Sequence, residues 1–155
     1  SSAASDVYKR QFHISSELLS RFRHIWIASL PNRYLGVTSL HSAPVSDIAA
    51  LKEVHDADLV DLIFAKMPST GYAAIDGDTL MSSASGEAAL RAVGAVRAAV
   101  DAVMTGSADN AFCAVRPPGH HAEPGRSMGF CLFNNVVLGA DYNRVNRRAN
   151  RANSA

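Results

Sequence analysis

The sequence contains few cysteines, no long apolar run and almost no net charge. Its two cysteines, Cys113 and Cys131, both lie in apolar stretches, so we expect two buried reduced thiols rather than a disulfide framework. This cysteine usage favours an intracellular, cytoplasmic protein. The longest early apolar run, residues 25–28, is far shorter than the roughly 20 residues that a membrane-spanning helix needs. We therefore expect neither a membrane anchor nor a secretory signal.

The near-absence of net charge also bears on the class of partner. Fifteen basic and fourteen acidic residues leave a net charge of +1, whereas nucleic-acid-binding domains carry a clear excess of Lys and Arg. With 48 % hydrophobic residues among 155, the chain is too apolar for a disordered protein and has the length of one folded domain. Composition thus predicts a globular domain that does not bind nucleic acid directly.

Sequence patterning divides the chain into three parts. Residues 1–43 show only a weak helical spacing, and we interpret them as an atypical segment of artefactual origin. Residues 44–140 carry regular helix and strand patterns. Residues 141–155 alternate Arg, Asn and Ala without an apolar face and predict a frayed or disordered tail. The fold is therefore expected to lie in the central part.

The clearest predicted element is a helix over residues 85–104. Apolar residues recur there every three or four positions, Ser85 is the predicted N-cap, and Arg97 and Asp101 are spaced for an i,i+4 ion pair. The continuous apolar run at 111–115 then predicts a strand buried on both faces of a parallel sheet. A helix followed by such a strand indicates an α/β fold, with a parallel sheet flanked by helices.

Shorter helices are expected on either side of this unit. Their predicted N-caps are Ser46 or Asp47, Asp56, and Asn134 or Asn135. Each cap precedes apolar residues at helical spacing, which is the usual pattern at the start of an amphipathic helix.

The residues with catalytic potential lie in the loop after the predicted strand, residues 116–131, Arg-Pro-Pro-Gly-His-His-Ala-Glu-Pro-Gly-Arg-Ser-Met-Gly-Phe-Cys. Open α/β sheets bind ligands at the carboxyl ends of their strands, so this loop is well placed for a site. Gly119 permits a backbone angle that turns His120 and His121 to one side. Two imidazoles in a partly dry pocket suit proton transfer near neutral pH.

The residues of this loop leave other interpretations open. One histidine could satisfy a buried backbone carbonyl while the other faces water. A metal site would have to combine the pair with dispersed carboxylates such as Asp76, Asp78 or Glu123, and their spacing matches no zinc motif. A polyproline recognition site at residues 117–118 would lack the flanking prolines that such ligands use.

Two stretches, Arg-Pro-Pro-Gly-His-His-Ala-Glu and Met-Gly-Phe-Cys-Leu-Phe-Asn-Asn, resemble the signature of the histone deacetylase superfamily, in its class II and bacterial amidohydrolase branch. The similarity runs from about residue 44 to 140 and includes Val54-His55-Asp56-Ala57 and Asp78-Thr79. It implies the N-terminal half of a domain with the arginase-deacetylase α/β fold. It also implies a zinc-dependent hydrolase that cleaves the amide bond of acetyl-lysine or a related acylated amine.

The resemblance implies roles for five residues. His121 would be the main general base and acid, His120 would support it by hydrogen bonding and electrostatics, and neither would bind the metal. Gly129 and Phe130 would line the channel for the acylated lysine. Asp78 would accept hydrogen bonds from the substrate backbone at the rim. From the residues alone, Asp78 could equally be a turn residue and Phe130 a core residue.

The sequence departs from the family pattern in its metal ligands. The family's Asp-x-His motif, its more distant Asp, its late Tyr or His and its early His-Pro-Glu segment have no counterpart in the chain. We therefore assign no metal ligand, and Zn²⁺ is expected only of a full-length parent. The expectation is a truncated domain that is inactive alone. The alternative is a non-catalytic truncated paralogue that acts as a binding or interaction module.

Overall fold

A computed structural model describes residues 25–29 and 38–152. In chain order, its elements are β1 (Ile25–Ser29), β2 (Thr38–Ser42), α1 (Ile48–Leu51), α2 (Ala57–Ala65), β3 (Ala73–Ala74), β4 (Leu80–Met81), α3 (Ser85–Met104), β5 (Asn110–Ala114) and α4 (Asn135–Ala152). Most of the predicted atypical segment 1–43 lies outside the described residues. Within the described ranges, no helix has the length and apolarity of a membrane span.

Two of the helices begin with the side-chain caps that the sequence predicts. Asp47 precedes α1, and its carboxylate accepts a hydrogen bond from the N–H of Ala49 at 2.8 Å. Asn134 precedes α4, and its side-chain oxygen accepts from the N–H of Val137 at 3.1 Å. α2 follows Asp56, although that carboxylate makes no capping bond. Local side-chain chemistry therefore accounts for two of these starts.

The predicted cap at Ser85 is wrong, although α3 spans the residues that its periodicity predicts. Ala84 is the N-cap of α3, and Ser85 lies in the first turn. The Ser85 hydroxyl accepts from the N–H of Ser82 at 2.8 Å. Ser85 thus supports the turn that leads into the helix instead of capping the helix itself.

Arg97 connects three elements instead of pairing with Asp101. Its guanidinium forms an ion pair with Glu53, just after α1, and stacks over the ring of Tyr142 in α4, 4.7 Å from the ring centroid. Asp101 accepts a hydrogen bond from the Tyr142 hydroxyl at 3.2 Å. The predicted i,i+4 pair was wrong because packing of α3 against its neighbours offers both side chains other partners.

The larger described sheet has the strand order β2-β1-β5, and both of its ladders are antiparallel. β3 and β4 form a separate antiparallel pair. The predicted parallel sheet is therefore not found among the described strands. An apolar run indicates a strand but carries no information on the direction of its neighbours, which depends on how the chain connects them.

β5 is partly buried on one face and exposed on the other, which corrects the prediction of burial on both faces. Exposure alternates along the strand, and Phe112 is 67 % exposed. On the opposite face, Ala111 and Cys113 pack beside small residues of α3 that include Ala98 and Ala102. In the described structure α3 covers that face, whereas the Phe112 face has no comparable cover.

The main core lies between α1, α2, β4, α3, the segment that leads into α4 and the first turn of α4. Its buried members are Leu51, Leu59, Val60, Ile63, Met81, Ala89, Val93, Leu132, Phe133 and Leu138. Burying each large side chain contributes about 1.5–3 kcal/mol. Since Leu132 and Phe133 directly follow the histidine-containing loop, this core also anchors the end of that loop to the helices.

Both cysteines are free thiols, but the prediction that both are buried is confirmed only for Cys131. Cys131 is fully buried, and its Sγ lies 3.4 Å from the carbonyl oxygen of Gly129. Cys113 is half-buried, and burial raises the pKa of its thiol. A raised pKa keeps a thiol protonated and unreactive at neutral pH, so Cys113 is expected to be inert.

α4 continues through the predicted tail as far as Ala152. The described part of the segment 141–155 is therefore helical, and Arg144 forms an ion pair with Asp141 one turn earlier. The proposed boundaries at residues 43 and 140 stay predictions.

Candidate active site

One open cleft contains most of the predicted site residues. It has a volume of about 580 Å³ and is lined by Asp76, Gly77, Asp78, His121, Arg126, Met128, Gly129 and Phe130. Four of the five predicted residues, Asp78, His121, Gly129 and Phe130, are thus brought together. His120 is not among the lining residues, but its ring lies against that of His121, with 4.2 Å between the centroids.

Both histidines of the pair are exposed, which corrects the expected partly dry pocket. Their rings are tilted by 52° to one another. Among the described residues, neither ring hydrogen-bonds to a backbone carbonyl, so the alternative in which one of them satisfies a buried carbonyl is not observed. The His121 ring therefore lies on the cleft surface, accessible to a bound molecule.

A tight turn at residues 128–131 builds the wall beside His121. It is closed by two backbone hydrogen bonds between Met128 and Cys131, at 3.1 and 2.9 Å. Gly129 has a φ of +58°, and a Cβ there would lie 2.8 Å from the Cδ2 of His121. Phe130 has a φ of +64°, which is uncommon for a bulky residue. The glycine is needed both for this conformation and for the close approach of the imidazole.

The turn over residues 76–79 forms a second wall. The Oδ1 atom of Asp76 accepts from the N–H groups of Asp78 at 3.1 Å and Thr79 at 2.7 Å. Partial burial would raise the pKa of Asp76, but these donors outweigh it and hold that pKa below its usual value. The exposed Asp78 carboxylate accepts from the Thr79 hydroxyl at 2.9 Å. Asp78 thus has the local hydrogen bond of a turn residue as well as a place in the cleft.

Thr79 connects the two walls, a function that the sequence analysis missed. It is 1 % exposed. Its hydroxyl donates to Asp78 and accepts from the N–H of Phe130 at 3.3 Å. The sequence offered one indication of this function, because Thr79 belongs to the Asp78-Thr79 pair on which the family resemblance partly rests.

His55 supports the histidine-containing loop from the protein interior and is a second missed residue. It is 3 % exposed. Its Nε2 accepts from the N–H of Asn134 at 2.8 Å, and its Nδ1 lies 3.1 Å from the carbonyl oxygen of Pro124. Because Nε2 accepts, Nδ1 must carry the proton and donate to Pro124. Burial lowers the pKa of His55, which favours this neutral form.

Gly119 has a different function from the one predicted. It is buried and does not have a positive φ. A Cβ at this position would lie 2.3 Å from the Oδ1 atom of Asn135 and 2.6 Å from its backbone nitrogen. The absence of a side chain therefore lets the loop pack against the start of α4, and the predicted permissive backbone angle was wrong.

The described residues do not build a metal site. Within 25–29 and 38–152, no group of three or more His, Cys, Asp or Glu side chains could hold a metal ion. Asp76, Asp78 and Glu123, the carboxylates considered as partners of the histidines, do not form such a group with them. The zinc ion that the resemblance implies thus has no fitting ligand set in this part of the chain.

Comparison with known proteins decides the family. The model of the histone deacetylase domain matches residues 16–152, which is most of the chain. The protein belongs to the histone deacetylase family. This confirms the predicted membership and the coarse assignment of a deacetylase, hydrolase-type domain.

Known members of the family resemble this chain over part of their own length. The histone deacetylase-like amidohydrolase of Pseudomonas aeruginosa is 38 % identical over 99 residues, which cover 64 % of this chain and 26 % of the relative. Type-2 histone deacetylase 2 of Dictyostelium discoideum is 55 % identical over 71 residues, which cover 42 % of this chain and 4 % of that protein.

A solved structure supports the same relationship. The crystal structure of the HDA15 HD domain matches with a TM-score of 0.63 and 32 % identity, over 74 % of this chain and 31 % of that chain. The α/β deacetylase fold is confirmed at this level. The chain therefore spans about a quarter of the bacterial relative and about a third of the solved chain.

Proposed function

We propose that this chain carries the acyl-lysine-binding side of a zinc-dependent deacetylase site, which hydrolyses the amide bond of acetyl-lysine or a related acylated amine. The observation that carries the proposal is the single cleft shared by Asp78, His121, Gly129 and Phe130. These residues come from two loops that are distant in sequence. Their convergence provides a polar rim, an apolar wall and a proton-transfer group side by side.

The walls of the cleft suit a long apolar stem that ends in an amide. The ring of Phe130 and the backbone of Gly129 would contact the methylenes of the lysine. At the rim, the Thr79 hydroxyl holds the Oδ1 atom of Asp78. The other carboxylate oxygen would then accept an N–H from the substrate backbone, which would orient the peptide across the cleft.

His121 would act as the general base and acid. Its imidazole lies on the cleft surface and can take a proton from an attacking water and pass it to the departing amine. His120, whose ring lies 4.2 Å from that of His121, would stabilise the protonated state through its dipole and hydrogen bonding. Zinc dependence is proposed for the full-length parent protein. The described residues assign no step of the reaction to the metal ion.

We infer that residues 1–155 alone bind an acylated amine without hydrolysing it, because the described residues form a binding cleft but no metal-holding group. The same pair of observations favours a second candidate, a non-catalytic module that recognises acylated peptides. The two candidates differ in whether a longer polypeptide that contains this sequence turns the substrate over.

Binding of an acetyl-lysine peptide by the purified chain tests the proposal. Calorimetry should show tighter binding of the acetylated peptide than of its unmodified counterpart. Phe130→Ala should weaken binding about tenfold, as expected for the loss of one aromatic wall. Val137→Ala removes apolar surface at a half-exposed position of α4 outside the cleft and should leave the affinity unchanged.

Acetate release and zinc content are measured on the same preparation. No stoichiometric zinc and no released acetate are expected. Equal affinity for acetylated and unmodified peptide would refute the binding function. Acetate release that both a chelator and His121→Ala abolish would contradict the inferred inactivity and would rule out the non-catalytic module.

A further inference from the structure

We propose that His55 is a positioning residue for the His120–His121 loop. In its neutral form, with the proton on Nδ1, it holds the loop at two points and thereby sets the place of the His121 ring in the cleft. This inference rests on the proposed function, because it concerns how the acid–base group is presented. His55 lies in the corner between α1 and α2 and does not line the cleft.

The first connection runs through Pro124. The Nδ1 atom of His55 lies 3.1 Å from the Pro124 carbonyl oxygen. The same oxygen accepts from the N–H of Asp56 at 2.9 Å. Pro124 follows His121 closely in the chain, so the 55–56 corner holds the segment just beyond the catalytic pair.

The second connection runs through Asn134. Its N–H donates to the Nε2 atom of His55 at 2.8 Å. Its side-chain nitrogen donates to the carbonyl oxygen of Ala122 at 2.9 Å. Ala122 directly follows His121, so two hydrogen bonds made by Asn134 connect the His55 ring to the residue next to the proposed base.

The surroundings of His55 select one protonation state. The ring is 3 % exposed and packs edge-on against Phe133 at 5.4 Å. A protonated ring would have donors on both nitrogens, and its Nε2–H would oppose the N–H of Asn134. The Asp56 carboxylate and the carbonyls of Glu123 and Pro124 favour the charged form, but burial outweighs them and lowers the pKa of His55.

Two substitutions at His55 test the two connections separately, because each removes one hydrogen bond and keeps the other. In His55→Gln, the side-chain oxygen reaches the former place of Nε2 and can accept from Asn134, while the donor to Pro124 is lost. In His55→Asn, the shorter amide can donate to Pro124 but does not reach Asn134. Both keep a polar side chain at the site. Ile63→Ala, at a fully buried position of the same core, is the control for a general loss of stability.

Nuclear magnetic resonance of the uniformly ¹⁵N-labelled chain provides a readout that does not depend on a ligand. Long-range ¹H–¹⁵N spectra at pH 7.5 should show the Nδ1–H tautomer for His55. His55→Asn should speed hydrogen exchange at the Asn134 amide at least tenfold and shift the His121 ring signals. His55→Gln should preserve the slow exchange at Asn134 and should shift the His121 ring signals less than His55→Asn does, because it loses only the donor to Pro124, whose carbonyl still accepts from the N–H of Asp56. Ile63→Ala should preserve both the exchange and the His121 signals after correction for its lower stability.

Two results would overturn the positioning role. One is an Nε2–H tautomer of His55 in the unmodified chain. The other is a set of His121 shifts in His55→Asn no larger than those in Ile63→Ala. Binding of the acetyl-lysine peptide is measured separately on the unmodified chain. If the peptide does not bind while the His121 signals follow His55 as described, the proposed function fails and the positioning role stands.

Discussion

At the scale of single residues, the cleft depends on side chains that do not line it. Thr79 and His55 are both buried, and each joins segments that are distant in sequence. The family resemblance identified His121, Gly129 and Phe130, because they lie in short consecutive motifs. It assigned no function to the two buried residues, because their hydrogen-bond partners lie 51 and 79 positions away and no local pattern reveals them.

Thr79→Val tests the connection between the two walls. Valine keeps the shape of threonine but removes the hydroxyl, so Asp78 loses a donor and the N–H of Phe130 loses its acceptor. We expect a loss of about 1–3 kcal/mol in the free energy of unfolding. We also expect weaker binding of the acetyl-lysine peptide, because both walls then move independently. Urea unfolding and calorimetry measure the two effects.

Thr79→Ser is the matched control for this prediction. It keeps the hydroxyl and removes only a methyl group, so peptide affinity should stay close to that of the unmodified chain. If the valine and serine variants bind the peptide equally well, the hydroxyl does not organise the cleft.

At the scale of elements, two glycines set the distance between α3 and its neighbours. A Cβ at Gly94 would lie 2.0 Å from the carbonyl oxygen of Pro44, and a Cβ at Gly139 would lie 2.1 Å from the Cγ1 atom of Val96. Alanine usually stabilises a helix by about 1 kcal/mol relative to glycine. At both positions the close packing opposes that gain.

Substitution of these glycines should destabilise the protein to different extents. Gly94→Ala should lower the free energy of unfolding by about 1–3 kcal/mol or more, because the backbone at Pro44 cannot rotate away. Gly139→Ala should cost less, since it meets a side chain, and Val96→Ala should relieve the clash in the double variant. Urea unfolding of the single and double variants measures these effects. Additive effects of Val96→Ala and Gly139→Ala would contradict the packing assigned to α3 and α4.

Element type was easier to predict than element environment. The periodicity of residues 85–104 predicted α3 correctly, because a helical repeat is encoded within the segment itself. The apolar run at 111–115 predicted a strand close to β5. It also predicted that both faces of this strand are buried, which was wrong. Whether a further layer covers a strand depends on other segments, and the strand's own residues do not encode it.

At the scale of the whole molecule, His55 links stability to pH. Its pKa is lower in the folded than in the unfolded chain, chiefly because of burial. The unfolded chain therefore takes up the proton at a higher pH than the folded chain does. Its contribution to stability is complete above the ordinary histidine pKa of about 6.5 and is lost as the pH falls below that value.

Urea unfolding at pH 7.5, 6.5 and 5.5 measures this dependence. The free energy of unfolding should fall over this range in the unmodified chain, and it should fall less steeply in His55→Gln, which has no titrating group at this position. The two proteins have every other titratable group in common. Equal slopes in the two proteins would show that His55 does not couple folding to protonation.

The sequence by itself determined the family, the position of α3 and the loop with the paired histidines, because each depends on residues that are close together in the chain. Only the tertiary structure decided that β1 pairs antiparallel with its neighbours, that one face of β5 is exposed, and that His55 and Thr79 hold the cleft together. These features depend on contacts between distant segments. These contacts contribute to the free energy of folding only once the helices, the sheet and the loop have packed against one another.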